Sequence, residues 1–289
     1  IPVIDPRSEE WDKTRHEYAA LYFKKRQRRG VNLYEASKIM KDRIRFACMM
    51  VNTGDADAVI GGLTRNYPET VRPALEIVGT EKGVKKIAGM YIIVTKKGPL
   101  FLADTTVNFN PTSEELADIT LMVAKEVKNF GITPRVALLS YSNFGSSNTP
   151  EAILVRKARE LLKQKSPDLI ADGEMQGILA FDKDILKENY PFSELADADV
   201  NVLIFPNLSA GNIAYNLLQE LGGFDTIGPI LMGLAKPVHV LQLGSSVRSI
   251  VNMVLIAVVD AQQKCPERKQ NADKEQHWWK KSKKINELM

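Results

Sequence analysis

The chain has few of the residues that build metal centres and disulfide frameworks. Among its 289 residues are 2 cysteines and 3 histidines. These are Cys48, Cys265, His16, His239 and His277, which lie far apart in the sequence and show no metal-ligand spacing. We therefore predict no metal site. Two isolated cysteines favour a reduced, cytoplasmic protein over a disulfide framework.

Long apolar runs and strong net charge are also missing. No run of about 20 apolar residues occurs, so no membrane span is predicted, and no signal-peptide pattern is visible. Because the first residue is Ile rather than Met, we expect a fragment or a processed product. The formal net charge of +4, from 39 basic and 35 acidic residues, is too small an excess to indicate nucleic-acid binding.

What is present is a regular alternation of strand and helix patterns. The segment "PTSEELADITLMVAKEVKNFG" has a capping box at Thr112 and Glu115 and an apolar face at helical spacing. The apolar strand "RVALLSYS" follows, and Thr149 with Pro150 predicts the start of the next helix. The scheme repeats in "VNVLIFPNLSAGNIAYNLLQELGG" and in "PVHVLQLGSSVRSIVNMVLIAVVDAQ". Such alternation predicts an α/β fold with a mostly parallel sheet.

The N-terminal part adds helices and a hairpin. Residues 8–29 have a helical apolar stripe, and Asn32 with Glu35 forms a second capping box. "PETVRPALEIVG" is helical, with Pro73 expected near the helix start, which would place Arg72 close to a helix N-terminus. "YIIVTKKGPLFLADTTV" predicts two strands joined by a Lys-Gly-Pro turn.

Four loops rich in Ser, Asn and Gly follow predicted strands. In open α/β sheets ligands bind beyond the carboxyl ends of the strands, and helix N-termini attract phosphate or carboxylate. Arg156 and Arg159 lie just downstream of the first of these loops. The four loops are "SYSNFGSS" (140–147), "DGEMQ" (172–176), "PNLSAGN" (206–212) and "QLGSS" (242–246).

Plainer explanations of these loops stay open at this point. Ser, Asn and Gly at such places are usually helix caps and turn formers. Asp172 and Glu174 are either an acid/base pair or, more commonly for carboxylates in a turn, solvated or capping groups. No GxxxxGK[ST] and no GxGxxG follows a strand, so neither a nucleoside triphosphate nor a dinucleotide is indicated. The residues alone predict an α/β protein that binds a small anionic ligand.

Several segments between about residues 50 and 262 resemble the phosphate acetyltransferase/butyryltransferase family, in that family's order. They are "ADAVIGGLTRNYPETVRPALEIVG", "FLADTTVN", "PRVALLSYSNFGSS", "DGEMQ", "PNLSAGNIAYNLLQELGG" and "IGPILMGLAKPVHVL". "LSYSNFGSS" and "SIVNMVLIAVVDAQ" are more similar to one branch. That branch is the acetyltransferase-like C-terminal domain of bacterial hybrid NADP-dependent malic enzymes.

The resemblance implies a two-lobed α/β fold with mostly parallel sheets, like that of the isocitrate and isopropylmalate dehydrogenases. One lobe would comprise residues 1–104 with a return segment at 235–264. The other would comprise 105–234, which leaves 265–289 as a charged tail. Family members usually begin with two further βα units, so the first lobe is expected to be truncated at its N-terminus. A homodimer or higher homo-oligomer is also implied.

The resemblance changes the interpretation of the "QLGSS" turn. Family members usually carry Ser-Arg-Gly there, with an aspartate one helical turn further on. Matched residue by residue, the serine falls on Gln242, the arginine on Leu243 and the aspartate on Ser249, whereas the glycine is kept as Gly244. Leucine cannot neutralise a phosphate and serine is a poor general base near neutral pH, so no catalytic residue is predicted. The arginine that precedes the helix proline in the family is kept as Arg72, which would meet either an anion or a carboxylate.

The resemblance therefore implies a binding domain rather than an enzyme. Acetyl-CoA would bind here and inhibit a malic-enzyme domain upstream in the same polypeptide, and that domain would hold NADP and a divalent metal. The predicted acetyl-CoA contacts lie in the loops after strands and in nearby basic residues: Ser140, Ser142, Asn143, Phe144, Gly145, Ser146, Arg156, Arg159, Asn207, Asn212, Lys236, Gln242 and Leu243.

Two other functions stay open. The chain could be an active phosphate acetyltransferase that moves an acetyl group between coenzyme A and phosphate, or a ligand-free dimerisation scaffold. In the tail, "HWWKKSKKINELM" would suit a membrane surface or a nucleic acid. A short helix that packs its tryptophans on the protein is the commoner case, so neither a membrane nor a nucleic acid is a predicted partner.

Overall fold

The computed structural model describes residues 2–264, and the predicted tail at 265–289 lies outside the described residues. Across 2–264 no helix is both long enough and apolar enough to cross a membrane. The α-helices of this range are α1 (Asp12–Arg26), α2 (Leu33–Ile39), α3 (Arg43–Thr53), α4 (Tyr67–Ile77), α5 (Ser113–Asn129), α6 (Pro150–Lys165), α7 (Gly177–Phe181), α8 (Lys183–Asn189), α9 (Leu208–Gly222) and α10 (Val247–Lys264). Its strands are β1 (Val59–Gly61), β2 (Ala88–Thr95), β3 (Gly98–Ala103), β4 (Arg135–Leu139), β5 (Ile170–Met175), β6 (Val202–Ile204), β7 (Asp225–Met232) and β8 (Val238–Val240).

Local signals set where several helices begin. The Asn32 side chain accepts the Glu35 N–H at the start of α2, and the Glu35 carboxylate accepts the Asn32 N–H in return. Thr112 and Glu115 make the same reciprocal pair at the start of α5. Both predicted capping boxes are therefore confirmed. Thr149 is the residue before α6, as predicted, although its side chain makes no capping hydrogen bond.

The strands form two sheets. The larger has six strands in the order β5-β4-β6-β3-β2-β7, and the smaller pairs β1 with β8. The pairs β4·β5, β4·β6, β3·β6 and β1·β8 are parallel, whereas β2 runs antiparallel to β3 and β7. A two-residue connection joins β2 to β3, which is long enough only for antiparallel neighbours. The predicted α/β fold with mostly parallel strands is confirmed, and so are the two antiparallel strands of the predicted hairpin. Its turn was predicted at Lys-Gly-Pro, but Lys96 and Lys97 form the connection and Gly98 and Pro99 already lie in β3.

The larger sheet is covered on both faces. Alternate residues of β2 enter opposite cores, because side chains alternate along a strand. Met90 and Ile92 lie in the core that includes buried residues of α5 and α6. Tyr91 and Ile93 lie in the core on the side of α7, α8 and α9. A third core is built by α1 to α4 around the small β1·β8 sheet.

The lobe boundaries predicted at residues 104 and 235 stay predictions. The β2–β3 hairpin, which that division assigns to the first lobe, pairs with β6 and β7 in the six-stranded sheet. Residues 18–78 and the strand β8 contribute most of the third core.

One helix start differs from its prediction. The helix α4 begins at Tyr67, and Pro68 rather than Pro73 occupies its first turn. Pro73 lies inside the helix and is buried, and Arg72 is exposed more than a turn from the N-terminus. The prediction of Pro73 near the helix start, with Arg72 at a helix N-terminus, was wrong. The extra turn comes from "NYP", where Asn66 is extended and Pro68 supplies a helical φ.

Candidate functional site

A cavity of about 400 Å³ lies where the carboxyl ends of several strands converge. The loops that follow β1, β3, β6 and β8 each contribute to its wall, and β7 contributes one residue. This cavity, called here the main cavity, is lined by Arg65, Asn66, Tyr67, Thr105, Thr106, Leu208, Asn212, Pro229, Leu241, Gln242 and Leu243. Three of the predicted site residues meet here: Asn212, Gln242 and Leu243.

In the turn after β8, the Gln242 side chain is hydrogen-bonded to the protein whereas the Leu243 side chain is exposed. The Gln242 amide donates a hydrogen bond of 2.7 Å to the hydroxyl of Tyr91, whose ring stacks on Tyr215 with centroids 3.7 Å apart. Burial raises the pKa of Tyr91, so its phenol stays neutral. Leu243 is 62% exposed at the cavity wall. Gly244 has φ +79, which explains why glycine is needed at this turn.

Ser249 is used in capping α10. Its N–H and its hydroxyl both contact the hydroxyl of Ser246, at 3.1 and 3.0 Å. Ser249 is absent from the lining of the main cavity. Within residues 2–264 no carboxylate or imidazole is hydrogen-bonded to its hydroxyl, which therefore has no general base beside it.

Asp104 organises the opposite wall, and sequence reasoning did not single it out. This carboxylate is 2% exposed and accepts four backbone N–H groups, those of Gly89, Thr106, Val107 and Asn108, at 2.9 to 3.2 Å. A buried carboxylate is tolerated when it is fully hydrogen-bonded. These bonds hold the loop after β3 so that Thr105 and Thr106 line the main cavity. The signal was available in "ADTTVN", where an aspartate follows a strand directly.

The main cavity carries one ionic side chain within the described part of the chain. Arg65 is that residue, and its guanidinium forms an ion pair of 2.6 Å with Asp42. Asp42 also accepts the N–H of Arg45 at the start of α3. Burial raises the pKa of Asp42, but the bond to the Arg45 N–H and the Arg65 guanidinium hold this pKa below its usual range. Sequence reasoning missed both Arg65 and Asp42.

A second cavity of about 480 Å³ holds two other predicted residues, Ser140 and Asn207. It lies beyond the ends of β4 and β6. The Asn207 side chain accepts the Ala210 N–H and so caps α9. The first turns of α9 therefore separate the two cavities, because Leu208 and Asn212 line one while Asn207 and Ala210 line the other.

The loop of Ser142 to Ser146 folds over a buried carboxylate. Glu174 is fully buried and accepts hydrogen bonds from the Ser142 hydroxyl, the Gly145 N–H and the guanidinium of Arg156. Burial raises the pKa of Glu174, but the bonds from Arg156 and Gly145 hold this pKa below its usual range. Asp172, 3% exposed, accepts from the Arg159 guanidinium at 3.2 Å and the Ser193 hydroxyl at 2.8 Å.

These four residues, Asp172, Glu174, Arg156 and Arg159, are called here the β5 cluster. The expectation that Asp172 and Glu174 lie in a turn as solvated or capping groups was wrong, whereas the alternative of an acid/base pair stays a hypothesis. Both lie in β5, are buried, and pair with arginines of α6. A carboxylate held as an anion by an arginine is a poor proton shuttle at neutral pH. The predicted contact of Arg156 and Arg159 with acetyl-CoA stays a prediction.

The remaining predicted residues are spread more widely. The side-chain Oδ1 of Asn143 accepts the Gln176 backbone N–H at 2.7 Å. Phe144, at φ 45, packs against Tyr190. Lys236 is half-buried after β7, and neither it nor the exposed Arg72 lines the two cavities. Over residues 2–264 no three His, Cys, Asp or Glu side chains are grouped to hold a metal ion.

Comparison with known proteins places this geometry in a family. The phosphate acetyl/butaryl transferase pattern matches residues 1–258. The chain belongs to this family. It is also 40% identical over 227 residues to the phosphate acetyltransferase of Bacillus subtilis, which covers 78% of this chain and 70% of that protein.

The chain is also similar to part of some larger proteins. The NADP-dependent malic enzyme of Escherichia coli is 44% identical over 248 residues, which cover 85% of this chain but 32% of that enzyme. The chain thus spans about a third of the length of the malic enzymes it matches. The EutD phosphotransacetylase from Staphylococcus aureus superposes with a TM-score of 0.81 at 32% identity, covering 90% of this chain and 79% of that one. The predicted two-lobed, dehydrogenase-like fold class is thereby confirmed.

Proposed function

We propose that this chain is an acetyl-CoA-binding regulatory domain of an NADP-dependent malic enzyme and does not itself transfer acetyl groups. The observation that carries this proposal is the exposed Leu243 at the main cavity. Family members usually have arginine at this position, and the incoming phosphate of their reaction needs a cation there. An apolar side chain cannot supply that charge, because a phosphate leaving water needs charged or polar partners.

The other two family positions support the same conclusion. Gln242 stands where a serine is usual, and its amide is committed to the Tyr91 hydroxyl. Ser249 stands where an aspartate is usual, and its N–H and hydroxyl are hydrogen-bonded to the Ser246 hydroxyl at the helix start. Neither group can take up a proton near neutral pH. The main cavity is nevertheless present, which suits binding without chemistry.

Acetyl-CoA would lie along the two cavities on either side of α9. The acetyl end would enter the main cavity beside Gln242 and Leu243, and the long pantetheine arm would pass Asn212 at the first turns of α9. Ser140 and Asn207 in the second cavity offer a hydroxyl and an amide for its polar groups. The two volumes, about 400 and 480 Å³, are each within the range of small-molecule sites.

The linked malic-enzyme domain would carry the redox reaction. Its NADP and divalent metal would be held by residues outside this chain, and acetyl-CoA bound here would inhibit malate oxidation there. The chain matches about a third of the length of each malic enzyme. This supports the proposal that it is one domain of a longer polypeptide. A cytoplasmic location goes with that role.

Two measurements on the 289-residue chain test binding and catalysis separately. Calorimetric titration with acetyl-CoA and with desulfo-coenzyme A should show binding that the acetyl thioester strengthens. Addition of phosphate to the acetyl-CoA complex should release no more coenzyme A from the wild type than from Leu243→Asp. An absence of binding to either ligand would contradict the proposal and would favour a ligand-free scaffold.

The second candidate function is an active phosphate acetyltransferase. The 40% identity to the Bacillus subtilis phosphate acetyltransferase, and its extent, favour this candidate. It requires phosphate-dependent release of coenzyme A well above the Leu243→Asp background. A matched variant with Gln242→Ser, Leu243→Arg and Ser249→Asp restores the usual family residues and serves as the positive comparison.

A homodimer is the proposed assembly. Large apolar side chains stay exposed on α9 and α10, where a monomer would leave them in water. They are Ile213, Leu217, Leu221, Val251, Val254, Leu255 and Val258. Sedimentation velocity should give twice the monomer mass, and Leu221→Lys together with Leu255→Lys should return the monomer.

A further inference from the structure

Gln242 is exposed and lines the main cavity, yet the protein holds it at both ends. Its backbone C=O accepts the Ser245 N–H at 3.2 Å and the Ser245 hydroxyl at 2.8 Å, which fixes the turn after β8. Its side-chain Nε2 donates to the Tyr91 hydroxyl at 2.7 Å. A long polar side chain at a surface otherwise keeps its rotamer freedom. The position of this amide is therefore set by the protein before any ligand binds.

Tyr91, which holds the amide, is itself rigid. It is 2% exposed, and its ring stacks on Tyr215 of α9 with centroids 3.7 Å apart. The strand β7 also comes so close that a Cβ added to Gly228 would lie 2.5 Å from this ring. A ring in contact with a helix and a strand cannot turn away, so the hydroxyl stays beside Gln242.

The hydrogen bond to Tyr91 decides which edge of the Gln242 amide is left for the cavity. A glutamine amide carries its N–H donors on one atom and its acceptor oxygen on the other. Burial, and after it the neighbouring Tyr215, raise the pKa of Tyr91, so the phenol stays neutral and its oxygen accepts from Nε2. Because Nε2 faces Tyr91, Oε1 lies on the opposite edge of the amide. Within residues 2–264 no protein donor is hydrogen-bonded to Oε1.

We propose that Tyr91 is a positioning residue, which turns Oε1 of Gln242 toward the main cavity as a hydrogen-bond acceptor for the ligand. This inference rests on the proposed binding of acetyl-CoA. The thioester carbonyl of that ligand is itself an acceptor, so it has no proton to offer Oε1. The nearest donor is the amide N–H of the pantetheine arm, which a short ethylene link separates from the sulfur. This N–H meets Oε1 when the acetyl end lies beside Leu243, and the site thereby selects pantetheine thioesters over thioesters that lack the amide.

The contact is tested with two ligands that differ in one group. The first is acetyl-CoA, and the second is an acetyl-CoA analogue in which a methylene replaces that amide N–H. Calorimetric titration of the 289-residue chain should show acetyl-CoA binding about three- to tenfold more tightly, the net worth of one neutral hydrogen bond. The ratio of the two dissociation constants is called here the amide ratio.

Two variants separate the acceptor from the residue that positions it. Gln242→Met keeps a side chain of similar length and replaces the amide by a weak acceptor, so both ligands should bind almost equally. Tyr91→Phe keeps the ring and its stacking and removes only the hydroxyl. The Gln242 amide can then rotate, and the amide ratio should fall to about half or less. Tyr22→Phe, which removes a buried hydroxyl bonded to Glu76 in the third core, is the matched control and should keep the wild-type ratio.

The amide ratio also separates positioning from damage to the fold. Looser packing at Tyr91 would weaken both ligands alike and leave the ratio unchanged. If Tyr91→Phe does not fold, Gln242→Asn makes the same test at an exposed position. Its side chain is one methylene shorter, so its amide does not reach Tyr91 and the amide ratio should fall as well.

Failure of the inference and failure of the proposed function give different results. Equal binding of both ligands by the wild type would show that Gln242 meets the ligand through its second N–H or not at all. That result would overturn the inference and leave the proposed function standing. A wild-type amide ratio retained in Tyr91→Phe would overturn the positioning role of Tyr91. Binding of neither ligand to the wild type would overturn the proposed function and the inference with it.

Discussion

The β5 cluster differs in charge balance from a second row of charged residues, called here the ion-pair chain. The ion-pair chain consists of Arg26, Glu76, Arg45, Asp42 and Arg65. The β5 cluster pairs two carboxylates with two arginines and is neutral. Its carboxylates are buried and each accepts further bonds from hydroxyl and backbone groups. The ion-pair chain has three arginines for two carboxylates, and its members are partly exposed.

The difference shows that arginines beside a Ser-rich loop can already be paired with buried carboxylates. Arg156 and Arg159 follow a Ser-rich loop, and the sequence therefore favours them as phosphate contacts. In the structure each already holds a buried carboxylate. Arg65 follows a short strand without any such loop, yet it faces a cavity at the end of an unbalanced row of charges.

The largest loss of stability is expected when the β5 cluster is broken at Glu174, its most buried member. Glu174→Gln removes the anion that Arg156, Gly145 and Ser142 surround, and should lower the free energy of unfolding by about 3 kcal/mol, since a buried pair is broken. Chemical denaturation measures this loss. Glu160→Gln, at an exposed carboxylate of the adjacent helix α6, is the control and should change stability little. A Glu174→Gln protein as stable as that control would contradict a structural role for the pair.

A smaller loss is expected at the second carboxylate of the β5 cluster. Asp172→Asn keeps the size of the side chain but loses the charge that faces Arg159 and Ser193. The free energy of unfolding should fall by about 2 kcal/mol, the range for hydrogen bonds to a charged group. Asp168→Asn, at an exposed position just before β5, is the matched comparison. Equal stabilities of the two variants would show that Asp172 is not held by its partners.

A Glu→Gln substitution in the ion-pair chain should lower the free energy of unfolding by less. Glu76→Gln removes a carboxylate whose side chain is 18% exposed and whose arginine partners lie at 3.5 and 3.8 Å. The cost should be about 1 kcal/mol or less, as for ion pairs that water still reaches. Thermal unfolding of Glu76→Gln beside Glu174→Gln makes the comparison direct. A larger loss in Glu76→Gln would reverse the contrast between the two regions.

The smallest expected effect is on acid stability. The pKa of Glu174 is held below its ordinary value of 4.5, so the folded protein favours the carboxylate form. That stabilisation is fully present above pH 4.5 and is lost as the pH falls through the lowered pKa. The stability difference between wild type and Glu174→Gln should therefore shrink below pH 4.5. A gap that widens with acid would show that the pKa is raised instead.

Much of the fold could be predicted because its signals are local. The capping boxes at Asn32 and Thr112 each involve residues three apart, and the β2–β3 hairpin depends on a two-residue connection. Family resemblance supplied the positions Gln242 and Leu243, which the structure places at the main cavity.

The parts that could not be predicted depend on distant partners. "DGEM" suggested a turn because Asp, Gly and Glu are rare in strands. It is a strand because Arg156 and Arg159 reach it from α6 and neutralise both carboxylates. Pro73 suggested a helix start, and only the position of Tyr67 and Pro68 shows that it lies inside α4.

The sequence by itself determined the alternation of strands and helices, the helix starts at capping boxes, and the loss of the usual family residues at the turn of Gln242 and Leu243. Only the tertiary structure decided which charged side chains form ion pairs with each other and which line a cavity. The physical reason is that capping and periodicity act over a few residues. The pairing of charges depends on distances through space. Asp42 and Arg65, for example, lie 23 positions apart in the sequence and come within 2.6 Å only when the chain is folded.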